Sequence, residues 1–394
     1  MAIEIRPCAS LDEFRAAVGA IGHYFGHPPT SDEGMERFAR LLGIERMHAA
    51  FDGDTIVGGA GAFAYEMSVP GGATVPTAGV SVVGVLPTHR RRGVLTQLMH
   101  AQLADARARG DALAYLWASE GRIYGRFGYG LASRAGEMSL SRDRVAFADS
   151  FTARGSFRLV ALEEAAQLFP SLYEQAMRQR PGLFRRSDAW WTERRLRDGD
   201  QQPKNRVVLE LDGKPAGYAL YTVKQEWEHG SSTGTMTIIE AVAPEPEAAR
   251  ELWRWLLDFD WTSKIVADLL PLDHELFQLL AEPRRMQFEV SDGMWVRILD
   301  VGAALNARTF GEGEVMLEIA GEGTWRISAD GAEQVSGDGD IQLDIAQLGS
   351  VYLGGVTFGQ LRRASRITER VSGAVERADA LFSTAVEPWC AEIF

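Results

Sequence analysis

Two stretches of the chain carry the same order of structural signals, and this repetition restricts the fold more than any other feature. MHAAFDGDTIVGGAGA alternates around Asp52-Gly53 and predicts a β-hairpin, because Asp-Gly tolerates the positive φ of tight turns. A strand through Ser81–Val85, a proline and an amphipathic helix follow. RVVLELDGKPAGYALYTV repeats the hairpin at Asp212-Gly213, and MTIIEAVAPEPEAARELWRWLLDF repeats the strand, proline and helix. We therefore predict a degenerate internal repeat.

The length of the chain and the change in its residue pattern indicate a third domain. With 394 residues, the chain exceeds the roughly 250–300 residues at which a single core stops growing. From about Gln287, alternating stretches and then the helical pattern SRITERVSGAVERADALFS predict a further mixed α/β segment. We expect domains at residues 1–153, 154–288 and 289–394.

Composition excludes several classes of partner. Apolar residues make up 46% and charged residues 24% of the chain, which is an ordinary globular balance. The 41 Lys and Arg residues against 54 Asp and Glu residues give a net charge of −13, which disfavours nucleic acid and favours cationic ligands. Cys8 and Cys390 are too few for a disulfide framework or a thiolate zinc site. No signal segment or membrane-spanning apolar run is apparent, so we expect a cytoplasmic protein without a membrane partner.

The segment SVVGVLPTHRRRGVLTQLMHAQL predicts a strand that passes through a tight turn into a helix. A strand ending near Val85 places Gly93 at or near the first turn of that helix. Apolar residues recur at helical spacing after it, at Val94, Leu95, Leu98, Met99 and Leu103.

This turn has the chemistry of an anion site. Unpaired N–H groups at a helix start favour an anion, Gly93 allows close approach, and Arg90, Arg91 and Arg92 add forked donors. A pyrophosphate would fit. The alternative is that the three arginines are a solvated helix start. Neither a P-loop nor a Gly-x-Gly-x-x-Gly dinucleotide fingerprint is present, which counts against nucleoside triphosphates and NAD.

The turn resembles motif A of the GNAT acyltransferases, a strand followed by Arg/Gln-x-x-Gly-x-Gly/Ala and a helix that holds coenzyme A pyrophosphate. Leu95 stands where that motif usually has a small residue. PTAGVSVVGVLPTHRRRGVLTQLM and ASEGRIYGRFGYG together resemble the Eis (enhanced intracellular survival) acetyltransferases. MWVRILDVGAALNAR and LGSVYLGG resemble the sterol-carrier-like third domain of that family.

The resemblance implies a mixed α/β fold with two tandem GNAT-like domains, the second degenerate, followed by a sterol-carrier-like α/β domain. In the second copy, PEPEAAR at Pro244–Arg250 stands where the first has THRRRGV, so its basic glycine turn is lost. The resemblance also implies a homohexamer.

Two catalytic residues are implied by the resemblance. Tyr124 would be the general acid toward the sulfur of coenzyme A, since tyrosine holds a proton at neutral pH. Phe394 would act through its terminal carboxylate as general base, provided that the chain end is free. The alternatives are a packed aromatic ring at Tyr124 and a packed or frayed tail at Phe394.

The remaining predicted site residues surround the acetyl donor. Backbone groups at a bulge-like strand end would receive the acetyl carbonyl and the pantetheine amide, and the motif would surround the pyrophosphate. Glu120 could equally be a surface carboxylate. The predicted positions are Val83, Gly84, Val85, Arg90, Arg91, Arg92, Gly93, Val94, Leu95, Thr96, Ser119 and Glu120.

We interpret the chain as an acetyl-CoA-dependent N-acetyltransferase that transfers directly to amines of polycationic acceptors. Aminoglycosides, modified at one or several amines as in antibiotic resistance, are the first class and protein lysines the second. The alternative of another class is a non-catalytic protein that binds acyl-CoA or an apolar ligand. No metal is expected, because His23 and His27 are four apart but lack a third ligand and a Glu-x-x-His context.

Overall fold

Both predicted hairpins form. Met47–Asp52 pairs with Thr55–Ser68 across the first turn, and Asn205–Leu211 pairs with Lys214–Lys224 across the second. Asp212 and Gly213 both have positive φ, 50° and 73°, as a type I′ hairpin turn requires. The computed structural model describes residues 3–26, 28–199 and 202–394. His27 therefore lies outside the described residues.

The chain divides into two compact units made of non-contiguous segments. The first contains residues up to Ala132, Met294–Ser383 and Phe394; the second contains Ser133–Gly293 and Thr384–Ile393. The predicted boundaries at 153/154 and 288/289 stay predictions.

The first unit is built on a mixed sheet that contains the predicted motif strand. The strand Thr74–Val85 runs parallel to Leu113–Trp117, and the helix Val94–Ala108 connects the two. The strands in order across the sheet are Glu4–Pro7, Met47–Asp52, Thr55–Ser68, Thr74–Val85, Leu113–Trp117, Met294–Ile298 and Gly130–Leu131. The helices and short helical turns up to Ala132 are Leu11–Phe25, Asp32–Leu42, Ile44–Arg46, Pro87–His89, Val94–Ala108, Gly121–Tyr124 and Gly125–Phe127.

One strand of this sheet comes from far along the chain. Met294–Ile298 belongs to the predicted third domain. This strand lies between Leu113–Trp117 and Gly130–Leu131 and is antiparallel to both. Met294, Val296 and Ile298 are buried and alternate with less buried residues. This alternation of apolar residues is typical of a strand and is visible in the sequence. The two strands with which it pairs could not be predicted, because pairing between strands so distant in the chain leaves no local pattern in the sequence.

The same unit holds a smaller sheet and helices from residues 301–383. The strands in order are Gly331–Val335, Gly323–Ser328, Glu314–Ile319, Ile341–Leu343 and Thr368–Glu369. The helices are Val301–Ala307, Ile345–Val351, Phe358–Arg363 and Ala374–Phe382. Buried Arg308 joins this layer by donating to the carbonyl oxygens of Tyr352 and Phe382.

The second unit repeats the hairpin, strand, helix and parallel strand. Thr235–Val242 runs parallel to Lys264–Leu270, and the helix Pro246–Leu257 connects them. The strands in order are Glu289–Asp292, Arg134–Ser141, Lys264–Leu270, Thr235–Val242, Lys214–Lys224, Asn205–Leu211 and Ser156–Leu159, with Trp227–Glu228 and Ser231–Ser232 as a separate pair. The other helical segments are Arg142–Arg144, Leu162–Gln179, the π-helix Trp190–Arg195, Leu276–Leu279 and Pro283–Met286. The internal repeat is thus present in the fold.

Among the described residues, no helix has both the length and the apolar character needed to cross a bilayer.

Candidate active site

The two central parallel strands of the first unit part after Gly79, four residues before the irregular strand end predicted at Val83–Val85. Their pairing covers Thr77–Gly79 against Leu113–Tyr115 and goes no further. Beyond it the motif strand bulges, because Val82 has φ 44° and the register against the neighbouring hairpin strand shifts between Ser81 and Gly84. Among the described residues, Val83–Val85 therefore have no strand partner on the side of the gap.

Gly84 has a packing role at this strand end. A Cβ atom at Gly84 would lie 3.1 Å from the Cα atom of Ile21, on the helix Leu11–Phe25. Gly84 and Val85 are buried, whereas Val83 is half-exposed. The absence of a side chain at Gly84 thus lets the helix cross the strand closely, next to the gap.

Among the described residues, the turn after the strand presents backbone N–H groups that precede the helical ladder, as predicted. Gly93 is the N-cap of the helix Val94–Ala108 with φ 79°, a left-handed conformation that glycine adopts without strain. The first helical hydrogen bond runs from Gln97 N–H to the Gly93 carbonyl, so the N–H groups of Val94, Leu95 and Thr96 precede the helical ladder. Five residues of the predicted set are exposed around this helix start: Arg90, Arg91, Arg92, Gly93 and Thr96.

Val94 and Leu95 contribute to the turn through their backbone. The Val94 side chain is buried, and Leu95 packs against the core under the helix. The Leu95 side chain therefore fills core space below the helix start, which the glycine or alanine usual at this motif position would leave unfilled. Their N–H groups remain at the helix start, which favours an anion.

Asp52 organises the basic turn, a role that sequence reasoning missed. Its carboxylate accepts hydrogen bonds from Arg92 at 3.3 Å and contacts His89 Nε2 at 3.1 Å. The hydrogen bond with His89, reinforced by Arg92, lowers the pKa of the Asp52 carboxyl. The local sequence indicates Asp52 only as a turn residue of the hairpin, and no local feature indicates that this turn lies beside Arg92.

Tyr124 lies at the end of the short helix Gly121–Tyr124, just after the strand Leu113–Trp117. Its ring is buried and packs edge-on against Tyr129, with 6.1 Å between the centroids. Burial raises the pKa of Tyr124, while the hydrogen bond with the Ser119 side chain partly opposes this shift. The phenol therefore holds its proton at neutral pH and has a polar partner beside it.

Glu120 precedes Tyr124 on the same loop. Glu120 and Ser119 are both exposed, and Glu120 is the N-cap of the short helix without a side-chain capping bond. Both residues are thus accessible at the strand end.

The ring of Phe394 packs into an aromatic group of the first unit. Its centroid lies 4.7 Å from that of Tyr115, 5.3 Å from that of Tyr65 and 6.4 Å from that of Phe63. It also lies over Gly79, where a Cβ atom would be 3.4 Å from the ring. Gly79 and Tyr115 are the last pair before the strands part, so the ring of Phe394 marks the start of the gap.

The predicted site residues therefore gather around one strand end. Phe394 lies against Tyr115, and Tyr124 bonds Ser119 a few residues further along. The turn at Gly93 follows the other strand of the parting pair. Such a gap, with a glycine helix start after one strand and a protonated phenol after the other, suits an extended anionic ligand whose reacting end lies between the strands.

Three segments of the chain match models of known families. Residues 4–132 match an acetyltransferase (GNAT) domain, residues 182–298 match a second acetyltransferase (GNAT) domain, and residues 301–391 match a sterol carrier protein domain. An uncharacterized N-acetyltransferase of Streptomyces avermitilis is 37% identical over 383 residues, which are 93% of each chain. The N-acetyltransferase Eis of Mycobacterium tuberculosis is 34% identical over 355 residues, which are 85% of each chain.

This chain belongs to the Eis family of GNAT N-acetyltransferases. The crystal structure of Eis1 from Mycobacterium abscessus has a TM-score of 0.88 to it at 33% identity, covering 99% of this chain and 100% of that one. A GCN5-related N-acetyltransferase from Anabaena variabilis has a TM-score of 0.86 at 22% identity, which shows the fold alone. The predicted family, the acetyltransferase activity and the order of two GNAT domains and a sterol-carrier-like domain are thus confirmed.

The Eis-family assignment favours the enzyme over the binding-protein alternative, and an acetyltransferase needs an acceptor. In residues 3–26, 28–199 and 202–394, no group of three or more His, Cys, Asp or Glu side chains is arranged to hold a metal ion.

Proposed function

We propose that this Eis-family enzyme transfers the acetyl group of acetyl-CoA directly to an amine of a polycationic acceptor. The observation that carries the proposal is the gap between the motif strand and Leu113–Trp117, with a glycine helix start beside it. The helix start would take the pyrophosphate, and the gap would take the pantetheine and the acetyl group. The acetyl donor supplies a thioester carbonyl that an amine can attack.

The turn residues act in binding. The N–H groups of Val94, Leu95 and Thr96 and the exposed guanidinium groups of Arg90 and Arg91 would donate to the pyrophosphate oxygens. Asp52 would hold Arg92 beside them. Gly93 keeps the approach open because it has no Cβ atom. None of these groups needs to change its protonation state during transfer.

The strand end acts in orientation. Backbone groups of Val83–Val85 that lack a strand partner would bind the pantetheine amide and the carbonyl that is attacked. Ser119 and Glu120 would line the opposite side of the donor. These groups would fix the thioester before the acceptor arrives, which lowers the entropy cost of the reaction.

Tyr124 would be the general acid. As the new N–C bond forms and the C–S bond breaks, the sulfur leaves with its electron pair and takes the phenolic proton. Burial raises the pKa of Tyr124, so the phenol stays protonated before this step. Its bond to Ser119 would keep the hydroxyl oriented toward the strand end.

The terminal carboxylate of Phe394 would be the general base. The acceptor ammonium must lose a proton before its lone pair can attack, and a carboxylate can receive it. The packed ring of Phe394 restricts where the carboxylate of the same residue can lie. This role requires that Phe394 is the last residue of the natural protein. An intact mass measurement on the protein from its natural source tests this requirement first.

The net charge of −13 supports a polycationic acceptor. Aminoglycosides, with modification at one or several amines, are the proposed class, and protein lysines are the second candidate. The homohexamer and the cytoplasmic location stay predictions.

The test is thiol release from acetyl-CoA by the purified full chain, with aminoglycosides, polyamines and lysine peptides as acceptors. Release that requires an amine, with an acetylated product by mass spectrometry, is the expected result. Release that is independent of amine would contradict the proposed transfer. A preference for lysine peptides would replace the aminoglycoside class by the second.

A further inference from the structure

The second unit contains a strand gap that corresponds to the gap of the candidate active site. Pairing of Thr235–Val242 with Lys264–Leu270 ends at Ile238 and Ala267. Beyond it, Ile239 is an extra residue in the register against the neighbouring strand, and Leu269 has φ 55°. The repeat thus keeps the irregular backbone that parts the strands, although it lacks the basic glycine turn.

The C-terminal segment of the chain lies along this gap and occupies part of it. The indole N–H of Trp389 donates to the carbonyl of Leu269, and the Trp389 backbone N–H donates to Pro181 at 2.9 Å. A cavity of about 720 Å³ extends along the gap and is lined by Ile239, Leu269, Trp389 and Ala391, among others. Residues of the C-terminal segment therefore lie where the corresponding gap of the first unit would take pantetheine.

A buried ionic cluster fixes the same segment. Arg186 Nε lies 2.5 Å from a carboxylate oxygen of Glu392, and the Trp190 indole N–H donates to Glu392 at 2.9 Å. Arg186 also bonds Glu240 at 2.6 Å, and Glu240 accepts from Arg195 at 3.0 Å. Arg186 and Glu240 are fully buried, so each charge needs its partners.

The position of Glu240 in the repeat is informative. Aligning Val85-Leu86-Pro87 with Val242-Ala243-Pro244 places Glu240 at the position of Val83. In the first unit this position lies at the gap proposed for the acetyl donor. In the second it carries a carboxylate that accepts from Arg186, Arg195 and Tyr218. At this position the second copy therefore has the charged residue Glu240, whereas the first copy has the apolar residue Val83.

We propose that the second unit is a holder for the C-terminal segment: its strand gap takes residues 389–393 in place of a cofactor, and Glu392 is a positioning residue for the terminal carboxylate. This inference rests on the proposed function, because it gives Glu392 its effect through the Phe394 carboxylate. Glu392 precedes Phe394 by two residues, so fixing its side chain restricts the path of the chain to the terminus.

The first test measures how firmly the segment is held. Glu392→Gln keeps the shape of the side chain but leaves Arg186 and Arg195 with one carboxylate instead of two. We expect carboxypeptidase A to remove Phe394 from this variant at least about tenfold faster than from the unsubstituted chain, followed by intact mass. Glu251→Gln is the matched control, because Glu251 is a buried carboxylate of the same unit that bonds Arg254. Equal removal rates in all three proteins would overturn the holder.

The second test measures positioning. In the full chain, Glu392→Gln should lower kcat by about tenfold or more while the coenzyme A affinity stays within about twofold. In a chain that lacks Phe394, the same substitution should cause no further loss. If the decreases in kcat caused by Glu392→Gln and by removal of Phe394 were additive, the positioning role would be overturned. Additivity would mean that Glu392→Gln acts independently of Phe394, as a general folding defect does.

A milder variant covers the case in which Glu392→Gln does not fold. Trp389→Phe keeps an aromatic ring and loses only the N–H bond to Leu269, and it should raise the removal rate of Phe394 in the same direction. No change with Trp389→Phe, in a folded protein, would also contradict the holder. Absence of any acetyl transfer by the unsubstituted chain would instead overturn the proposed function, and the removal rates would still decide how the segment is held.

Discussion

The ring of Phe394 lies against the ring of Tyr115, with 4.7 Å between their centroids and 57° between their planes. Tyr115 is also the last residue of its strand that pairs with the motif strand. The final side chain is therefore fixed at the point where the two central strands of the first unit part. This relationship is the observation that supports the proposed role of Phe394.

Phe394→Ala should lower kcat by about tenfold or more, because the carboxylate would remain but its ring would no longer hold it. The coenzyme A affinity should be unchanged within about twofold, because the ring packs against Tyr115 and Tyr65, whereas the proposed pyrophosphate site is the turn at Gly93. Isothermal titration and steady-state thiol release measure the two quantities. A loss of coenzyme A affinity equal to the loss of kcat would contradict this division of roles.

Tyr124→Phe should lower kcat by roughly 10²–10⁴-fold, the usual contribution of a general acid. The ring would still pack against Tyr129, so the melting temperature should change little. Ser119→Ala, which removes the hydroxyl that bonds Tyr124, should give a smaller loss of kcat. Turnover in Tyr124→Phe that matches the unsubstituted enzyme would exclude the phenol as the acid.

The pH dependence of kcat provides a separate check on Tyr124. Because burial raises the pKa of Tyr124 above its usual value of 10, the phenol should stay protonated through neutral pH and beyond. We expect no loss of kcat from Tyr124 ionisation below about pH 10. A basic limb near pH 8 that disappears in Tyr124→Phe would show that the phenol ionises far earlier than burial implies.

Gly93→Ala should weaken coenzyme A binding. Gly93 has φ 79°, so alanine there costs about 1–2 kcal/mol of folding free energy, and its Cβ atom would lie at the helix start. Gly110→Ala is a matched control, because Gly110 has φ 88° with no heavy atom within 4 Å of an added Cβ. Denaturant unfolding should show similar losses in both variants. Calorimetric titration with coenzyme A should show weaker binding in Gly93→Ala alone.

Stability should fall as the pH is lowered through the range where buried His274 would become charged. Burial lowers the pKa of His274, whose ring packs edge-on against Trp253 and whose Nδ1 accepts from Leu276 N–H. A base with a depressed folded pKa contributes stability above its unfolded pKa of about 6.5 and loses it below, by up to about 1.4 kcal/mol per pH unit. His274→Asn, which keeps an acceptor, should flatten the melting temperature between about pH 7.5 and 5.5. An unchanged slope would assign the effect to other groups.

Much of the local structure around the site was predictable from sequence, for identifiable reasons. The Asp-Gly pairs located both hairpins, although the first turn consists of Gly53 and Asp54 because Asp52 still pairs with Thr55. The apolar spacing after Gly93 predicted the helix and its start. These features depend on neighbouring residues, whose φ preferences and periodicity are visible in a short window. The parting of the strands after Gly79 was anticipated only as an irregular strand end.

The long-range parts were not predictable from the residues. Arg186, Glu240 and Glu392 look like ordinary surface charges in sequence, because burial and ion pairing depend on which distant segments meet. The same holds for the aromatic residues around Phe394 and for the carboxylate of Asp52 beside Arg92. Each of these contacts joins residues far apart in the chain, and a single sequence carries no trace of such pairs.

The strand Met294–Ile298 sits between Leu113–Trp117 and Gly130–Leu131. On the ribosome, the two neighbours are synthesised about 160 and about 180 residues before it, which corresponds to roughly 10–35 s at ordinary elongation rates. During that interval the nascent chain carries open hydrogen-bonding edges where the late strand will insert. The unit whose synthesis begins first is therefore completed last, after nearly all of the second unit has been translated.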